Sequence, residues 1–173
     1  MADRTYITGE MQAAVGAELR SRTSYPVSES DIRRWATAIY YPEAPPRLFW
    51  DAEHASGTVY GGIVAPEDFN PFAWMTPPPP GGAPDLSRAV FASLESQLGL
   101  ADPPTTSMVN GGREIEYGAR IRPGDVVTAV SRLAGYSERE GRLGLMLFSV
   151  TEDTWTNERG EWVKTERMTL IRY

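Results

Sequence analysis

The stretch 61–75 places the strongest constraint on what this chain can fold into. Two glycines and a short apolar run lead into Pro66, Glu67 and Asp68. This is the pattern of a helix start, where proline is tolerated and carboxylates interact favourably with the helix dipole. The aromatic residues that follow leave no clean polar face; they are Phe69, Phe72 and Trp74. The pattern predicts a short buried helix, which the rest of the chain has to enclose.

Composition narrows the class of protein. Apolar residues make up 41% and aromatic residues 10% of the 173 residues, which suits one globular domain over 1–173. With no cysteine and one histidine, the chain by itself has no disulfide, thiolate or multi-histidine metal chemistry, and we expect no cofactor. The net charge of −6 disfavours nucleic acid as a partner. No signal-like or membrane-spanning segment is present, so we expect a cytoplasmic protein without a membrane partner.

The elements predicted before the central helix are short. The longest is a helix with serine caps and one apolar stripe that includes Ile32 and Ala36. Three prolines in 40–49 predict an extended loop. The predicted elements are a helix at 8–16, a strand at 18–25, the capped helix at 30–39 and one helical turn at 50–55.

The segment 76–84 has the composition of a polyproline excursion. It could mark a domain boundary, but the pieces on either side would each be small to fold alone, so we interpret it as an inserted loop. An amphipathic helix capped by Asp85 is predicted at 86–98.

The last third of the chain is predicted to be an antiparallel sheet. Three turn-forming segments separate strand-like runs and predict hairpins. Leu145–Phe148 is apolar on both faces, which favours a central strand covered by a helix on one side and by a partner on the other. The strands are predicted at 107–117, 125–136, 144–154 and 162–173. An antiparallel sheet wrapped around a central helix is an α+β arrangement, the hot-dog fold.

Three sequence blocks resemble the MaoC-like dehydratase family, and more narrowly its N-terminal, FAS1-like dehydratase domain type. The resemblance runs over almost the whole chain. It implies a hot-dog domain that forms half of a double hot-dog and an activity on 2-enoyl thioesters. The blocks are Tyr-Gly-Gly-Ile-Val-Ala-Pro at 60–66, Asn-Gly-Gly-Arg-Glu-Ile-Glu-Tyr at 110–117 and Ile-Arg-Pro-Gly-Asp-Val-Val at 121–127.

The family's catalytic pattern, Asp-x-Asn-Pro-x-His, is not intact in this chain. The position of the aspartate falls on Ala44 and that of the histidine on Phe49, and neither side chain can transfer a proton. His54, three residues after Asp51, is either a surface histidine or half of a relocated pair. Two neighbouring acids at 67 and 68 are either helix-dipole partners or a paired-carboxylate site.

Two groups of residues are predicted to bind substrate. The aromatic group could line a tunnel for a large acyl chain or simply pack in the core. The second group contains glycines inside a strand, which indicate a bulge or the close approach of a ligand. Three arginines, at 113, 120 and 122, could meet coenzyme A phosphates or remain at the surface. The predicted substrate-binding residues are Phe69, Phe72, Trp74, Asn110, Gly111 and Gly112.

The sequence therefore supports two hypotheses for function. In the first, the chain is the non-catalytic, acyl-accommodating subunit of a heteromeric 2-enoyl-CoA hydratase or dehydratase. Its substrate is a bulky or long acyl-CoA thioester, such as a steroid side-chain or fatty-acyl thioester, and a MaoC-like partner chain supplies the aspartate and histidine. In the second, the chain is a homodimeric thioester-binding or scaffold protein without hydration chemistry.

Overall fold

A five-stranded antiparallel sheet organises the computed structural model, which describes residues 5–75 and 93–173. Its strand order is β1-β3-β4-β5-β2, so β4 is central, as its apolar sequence predicts. The strands are β1 (Glu18–Thr23), β2 (Met108–Tyr117), β3 (Val127–Gly141), β4 (Gly144–Asn157) and β5 (Trp162–Arg172).

Short helices pack on the sheet, and each begins where a side chain can accept a backbone N–H. Thr8, Ser28, Asp51 and Ser93 are these N-cap residues. The helices are α1 (Gly9–Ala13), α2 (Glu29–Tyr40), α3 (Ala52–Ser56) and α4 (Leu94–Gln97), with a 3₁₀ turn at Arg47–Phe49. The three helical predictions before residue 60 are thus confirmed within a few residues. The prediction for 86–98 lies outside the described residues except at its end, where α4 forms.

The prediction of a helix in 61–75 is wrong. This segment is a series of turns, with single bonds such as Phe69 N–H to the Pro66 carbonyl and Ala73 N–H to the Asn70 carbonyl. Pro71 explains the difference, because its ring disfavours the helical conformation at the preceding residue and it has no N–H to donate. The Asn70 side chain then accepts the N–H of Phe72 at 3.1 Å, a local bond that competes with a helix.

The segment is nevertheless buried, as its apolar sequence predicts. Ile63, Val64 and Ala65 are almost fully inaccessible to solvent. Phe69 and Phe72 pack in the main hydrophobic cluster together with Ile32 and other residues of α2. The longest helix among the described residues, α2, therefore covers this end of the sheet. No helix in the described ranges is long and apolar enough to cross a membrane.

Two of the three predicted hairpins are confirmed. β3 and β4 pair through a turn closed by Gly141 and Gly144, and β4 pairs with β5. The segment at 122–125, however, does not join neighbouring strands, because β2 pairs with β5 at the far edge of the sheet. After β2 the chain is held by a bond from Ala65 N–H to the Ile121 carbonyl and one from Gly124 N–H to the Val27 carbonyl. These bonds direct it across the end of the sheet instead of back along β2.

Candidate functional site

A cavity of about 700 Å³ opens on one face of the sheet, which we call the inner face. The inner face is defined by alternate residues of β4: Leu147, Ser149, Thr151, Asp153 and Trp155. Strands β1, β3, β4 and β5 supply most of the described lining. The other described lining residues are Trp35 of α2, Leu94 and Gln97 of α4, Arg113 of β2 and two turn residues, Asp68 and Asn70. The cavity is large enough for a sizeable small molecule.

The inner face is apolar at both ends and polar between them. At one end Trp155 belongs to the main hydrophobic cluster, and at the other end Leu147 packs with Tyr6 and Met11 in a second cluster. The three positions between them carry hydroxyl or carboxylate groups and line the cavity: Ser149, Thr151 and Asp153. A sheet face that packs only on apolar elements carries apolar residues at every inward-facing position. The polar middle therefore makes this face the candidate binding surface.

Charged residues lie next to one another across neighbouring strands in this polar middle. Strand register places Arg20 opposite Ser131, Ser131 opposite Asp153, and Asp153 opposite Glu166. Arg20 Nη2 lies 3.8 Å from Asp153 Oδ2. Glu166 is paired with Arg113 at 3.4 Å and with Lys164 at 3.3 Å. The carboxylates that line this part of the cavity therefore already have cationic partners.

Lys164 is held at the apolar end of the cavity. Its side chain is 7% exposed, and its Nζ lies 3.9 Å from the ring centroid of Trp155, the residue opposite it on β4. A cation over an indole face in a partly desolvated site is stabilised by the ring quadrupole. The floor of the cavity thus combines a positive charge with an aromatic surface.

Arg22 differs from the other cations of the cavity, because no carboxylate pairs with it in the described part of the chain. Its guanidinium lies 4.1 Å from the centroid of the Phe72 ring. Burial, reinforced by the neighbouring positive charge of Arg20, lowers the pKa of Arg22 from its usual value. The protein therefore maintains a partly desolvated positive charge on this surface.

Buried side-chain groups without a hydrogen-bond partner concentrate around the same cavity. Among the described residues they are Arg22 Nε, Trp35 Nε1, Trp155 Nε1 and Arg172 Nε. All four are donors, and the first three belong to side chains that line the cavity. An unsatisfied buried donor typically costs about 1–3 kcal/mol. The cavity wall therefore lacks acceptors rather than donors.

A buried ion pair closes the other end of the cavity. Arg172 Nη1 and Nη2 donate to the two Glu95 oxygens at 2.6 and 2.7 Å, and Nη2 also donates to Ser149 Oγ at 2.7 Å. Tyr136 donates its hydroxyl proton to Glu95 Oε1 at 2.8 Å. Burial opposes ionisation of Glu95, but the bonds from Arg172 and Tyr136 outweigh it, so the pKa of Glu95 is below its usual value. Burial and the carboxylate raise the pKa of Tyr136. The network fixes α4 against β3, β4 and β5.

The predicted aromatic residues lie behind the cavity wall rather than on it. Phe69 packs edge-on against Trp35 with ring centroids 5.8 Å apart, and Phe72 packs against Trp155 at 5.0 Å. Both phenylalanines support side chains that do line the cavity. Trp74 is 46% exposed. The core interpretation therefore describes the packing of Phe69 and Phe72, while a contact of any of the three with substrate stays a prediction.

The predicted strand residues Asn110, Gly111 and Gly112 lie on the edge strand β2. The register with β5 shifts between Asn110 and Gly112, Asn110 Oδ1 accepts the Gly112 N–H at 2.8 Å, and Gly112 has φ +123°. An added Cβ at Gly111 would lie 2.7 Å from Ile171 Cγ1. The bulge and the close packing on β5 therefore explain why glycines occupy these positions. Their contact with a ligand stays a prediction.

The two positions matched to the family's catalytic pattern lie in different surroundings. Ala44 is exposed in the proline-rich loop. Phe49 is 7% exposed, belongs to the main hydrophobic cluster and packs on Tyr40 with centroids 6.0 Å apart. A methyl group and a buried phenyl ring offer no proton for transfer at these positions.

Asp51 and His54 form a helix cap. Asp51 Oδ1 accepts the backbone N–H of His54 at 3.0 Å, while Oδ2 accepts Arg47 Nη2 at 2.6 Å. The His54 backbone bond and Arg47 together lower the pKa of Asp51. His54 itself is exposed. A carboxylate that caps α3 and binds an arginine stabilises the local structure and is poorly suited to abstract a proton.

Glu67 and Asp68 do not interact with a helix dipole, since no helix forms there; that prediction is wrong. Glu67 pairs with Arg120 at 2.7 Å, and Asp68 Oδ1 accepts the Tyr117 hydroxyl at 2.7 Å. Burial and the bond to Asp68 raise the pKa of Tyr117 to about 12. The two acids therefore anchor the 61–75 segment to the end of β2. Arg113 also lies 3.9 Å from Asp68.

The Arg-Pro-Gly-Asp turn has a structural role. Asp125 is 2% exposed; its Oδ2 accepts the Arg122 N–H at 2.9 Å and its Oδ1 accepts Arg159 Nη1 at 2.8 Å. The bonds to Asp125 and Glu161 raise the pKa of Arg159. Gly124, at φ +92°, supplies a conformation that side-chain-bearing residues avoid. No group of three or more His, Asp or Glu residues suited to a metal occurs within 5–75 and 93–173.

The fold is the hot-dog fold. A MaoC-like dehydratase from Rhodospirillum rubrum superposes over 92% of both chains with a TM-score of 0.55 at 17% identity. The ChsH1-ChsH2 complex from Mycobacterium tuberculosis aligns over 95% of this chain and 87% of the matched chain, with a TM-score of 0.64 at 20% identity. The HadBC (3R-hydroxyacyl-ACP dehydratase) complex from the same organism aligns over 91% and 99%, with a TM-score of 0.53 at 19% identity.

The family model for the FAS1-like dehydratase domain region matches residues 13–166. This chain therefore belongs to that family. A probable enoyl-CoA hydratase alpha subunit from Thermomonospora curvata is 29% identical over 174 residues, which cover 94% of this chain and 50% of the relative. The chain spans about half the length of that relative.

Proposed function

We propose that this chain is the non-catalytic, acyl-accommodating subunit of a heteromeric 2-enoyl-CoA hydratase or dehydratase. Its substrates are bulky or long acyl thioesters, such as steroid side-chain or fatty-acyl thioesters. The similarity to an enoyl-CoA hydratase alpha subunit supports the reaction class, and two of the similar solved structures are complexes of two differently named chains. A MaoC-like partner with an intact Asp-x-Asn-Pro-x-His pattern supplies the proton-transfer groups.

The observation that carries the proposal is the surroundings of Phe49. Hydration of a 2-enoyl thioester needs one group to activate water and one to transfer a proton. At the position matched to the histidine, this chain has a phenyl ring packed in the core, and at the aspartate position it has Ala44. The cavity remains while the catalytic pair is missing, which is the combination expected of a subunit that holds an acyl group without reacting with it.

The edge strand β2 is the surface best suited to the partner. It pairs with β5 on one side only, and every residue in it except Ile115 is exposed. A strand of this length with a free edge favours pairing with another chain. Val109 and Met108, at 45% and 66% exposed, add apolar surface there.

A homodimeric thioester-binding or scaffold protein without hydration chemistry is the alternative. The same free edge of β2 favours it, because two copies could pair there. Under the first function the chain forms an active complex when the partner is supplied. Under the second it remains a homodimer that does not bind the partner.

Co-expression with a candidate MaoC-like partner tests the proposal. We expect a soluble complex on size-exclusion chromatography with light scattering, with an interface on the order of 1,600 Å² or more, and hydration of a bulky 2-enoyl-CoA. Replacing the partner's motif histidine by alanine should abolish turnover while leaving the complex intact. A stable homodimer that does not bind the partner would support the alternative and contradict the proposal.

A further inference from the structure

The polar middle of the inner face determines which acyl groups the cavity suits. A plain hydrocarbon chain placed there would remove water from Thr151 and Asp153 without replacing the lost hydrogen bonds. Polar groups buried in this way are destabilising. Ligands with polar groups of their own avoid that cost, so the wall selects against an unsubstituted chain.

Buried donors beneath the cavity wall contribute to its electrostatic potential. Arg22 Nε, Trp35 Nε1 and Trp155 Nε1 have almost no accessible surface and no acceptor in the part of the chain that the structure describes. Their side chains line the cavity from β1, α2 and β4. A ligand in the cavity does not bond these three atoms, but their uncompensated N–H dipoles add to the positive potential of the wall.

The distribution of charge also favours a ligand with acceptor oxygens. Asp153 has Arg20 as a partner, and Glu166 has Arg113 and Lys164. Arg22 has an aromatic ring beneath it and no carboxylate partner within the described ranges. The positive charge that remains for a ligand therefore belongs to Arg22, which can also donate two parallel hydrogen bonds to a planar oxygen group.

We propose that the inner-face cavity takes acyl groups whose distal part carries acceptor oxygens, as a keto or carboxylate group does, in preference to plain hydrocarbon chains. This assignment rests on the proposed acyl-accommodating function. Arg22 is the specificity-determining residue.

Calorimetric titration of the full chain with three trans-2-enoyl-CoA esters of equal length tests the proposal. The esters end in a methyl, a keto or a carboxylate group. We expect the two oxygen-bearing esters to bind about 10-fold or more tightly than the methyl ester, the effect of a hydrogen bond to a charged group.

A matched pair of variants identifies the residue responsible. Arg22→Met, which removes the charge, should reduce the preference to about 3-fold or less. Arg132→Met, on the other face of the sheet and paired with Glu18 at 3.5 Å, should retain it. Unchanged thermal stability and circular dichroism report that each variant is folded.

Three results would overturn the assignment. The first is equal or tighter binding of the methyl ester. The second is an equal loss of affinity for all three esters in Arg22→Met at unchanged thermal stability. Either result would show that the cavity does not discriminate in favour of oxygen-bearing acyl groups. In both cases thioester binding, and with it the proposed function, would stand. Binding of none of the esters would overturn the proposed function and this assignment together.

Discussion

Both oxygens of Glu95 are bound by the guanidinium of Arg172, at 2.6 and 2.7 Å, where the two side chains are 0% and 7% exposed. The pair joins α4, which follows the proline-rich segment, to the last strand of the sheet. Ser149 on the central strand accepts a further bond from the same guanidinium. The wall of the cavity at this end is therefore fixed by one buried electrostatic network.

Removing one partner of this network should destabilise the protein strongly. Glu95→Gln and Arg172→Met each leave a buried charge or donor without its partner, and we expect the free energy of unfolding to fall by about 3–5 kcal/mol. Urea unfolding followed by circular dichroism measures this. Arg20→Met is the matched control, because Arg20 is 60% exposed and lies 3.8 Å from Asp153, and such a pair should contribute less than about 1 kcal/mol. Equal, small effects in all three variants would contradict the network's role.

Stability should also depend on pH through Glu95. Its pKa in the folded protein is below the usual value of 4.5, so the unfolded chain takes up a proton first as the pH falls. The stabilising contribution is complete above about pH 4.5 and is lost as the pH falls through the lower, folded pKa. The difference in unfolding free energy between the wild-type protein and Glu95→Gln should therefore shrink in acid. A difference that is constant with pH would contradict this.

Tyr117 should titrate at unusually high pH. Burial and the Asp68 carboxylate raise its pKa to about 12, so the folded protein keeps this hydroxyl protonated when an ordinary tyrosine has begun to ionise. Its contribution to stability is present below about pH 10 and is lost as the pH rises towards 12. Phenolate absorbance of the wild-type protein minus that of Tyr117→Phe isolates the transition. Asp68→Asn should lower it, and an unchanged midpoint would show that Asp68 does not act on Tyr117.

Gly111 should tolerate no side chain for a structural reason. An added Cβ would lie 2.7 Å from Ile171 Cγ1 and 3.0 Å from Thr169 Cγ2, so Gly111→Ala should cost about 1–3 kcal/mol of stability. In an Ile171→Ala background, which lacks Cγ1, the same substitution at Gly111 should cost less. Gly135→Ala is the control, because nothing lies within 4 Å of its Cβ position. An equal cost of Gly111→Ala in both backgrounds would point to another cause, such as backbone conformation.

The sequence predicted the sheet well because its signals are local. Alternation and turn residues located β2 to β5 within a few residues, and the apolar faces of Leu145–Phe148 indicated the central strand. Helix caps such as Ser28 and Asp51 are also visible in the sequence. The order of the strands in the sheet could not be predicted in the same way. Nothing in 118–126 shows that β2 crosses to the far edge, because that depends on bonds to distant residues such as Val27 and Ala65.

The residues predicted to bind substrate differ from those that line the cavity. The aromatic pattern in 61–75 indicated Phe69 and Phe72, which pack behind the cavity wall. Residues such as Arg22, Trp155 and Lys164 form the surface of the cavity. One signal was present in the sequence: the alternate residues Ser149, Thr151 and Asp153 interrupt an otherwise apolar face of β4. Which face of β4 is the inner one becomes clear only from the register with β3 and β5.

Steady-state hydration of a bulky 2-enoyl-CoA by the purified chain, alone and with a MaoC-like partner, tests the central claim most directly. Because Ala44 and Phe49 cannot transfer protons, and such groups typically contribute about 10²–10⁴ in rate, the chain alone should show no turnover above background. The complex should be active. Turnover by the chain alone that disappears in His54→Ala would contradict the account and assign catalysis to the Asp51 and His54 pair.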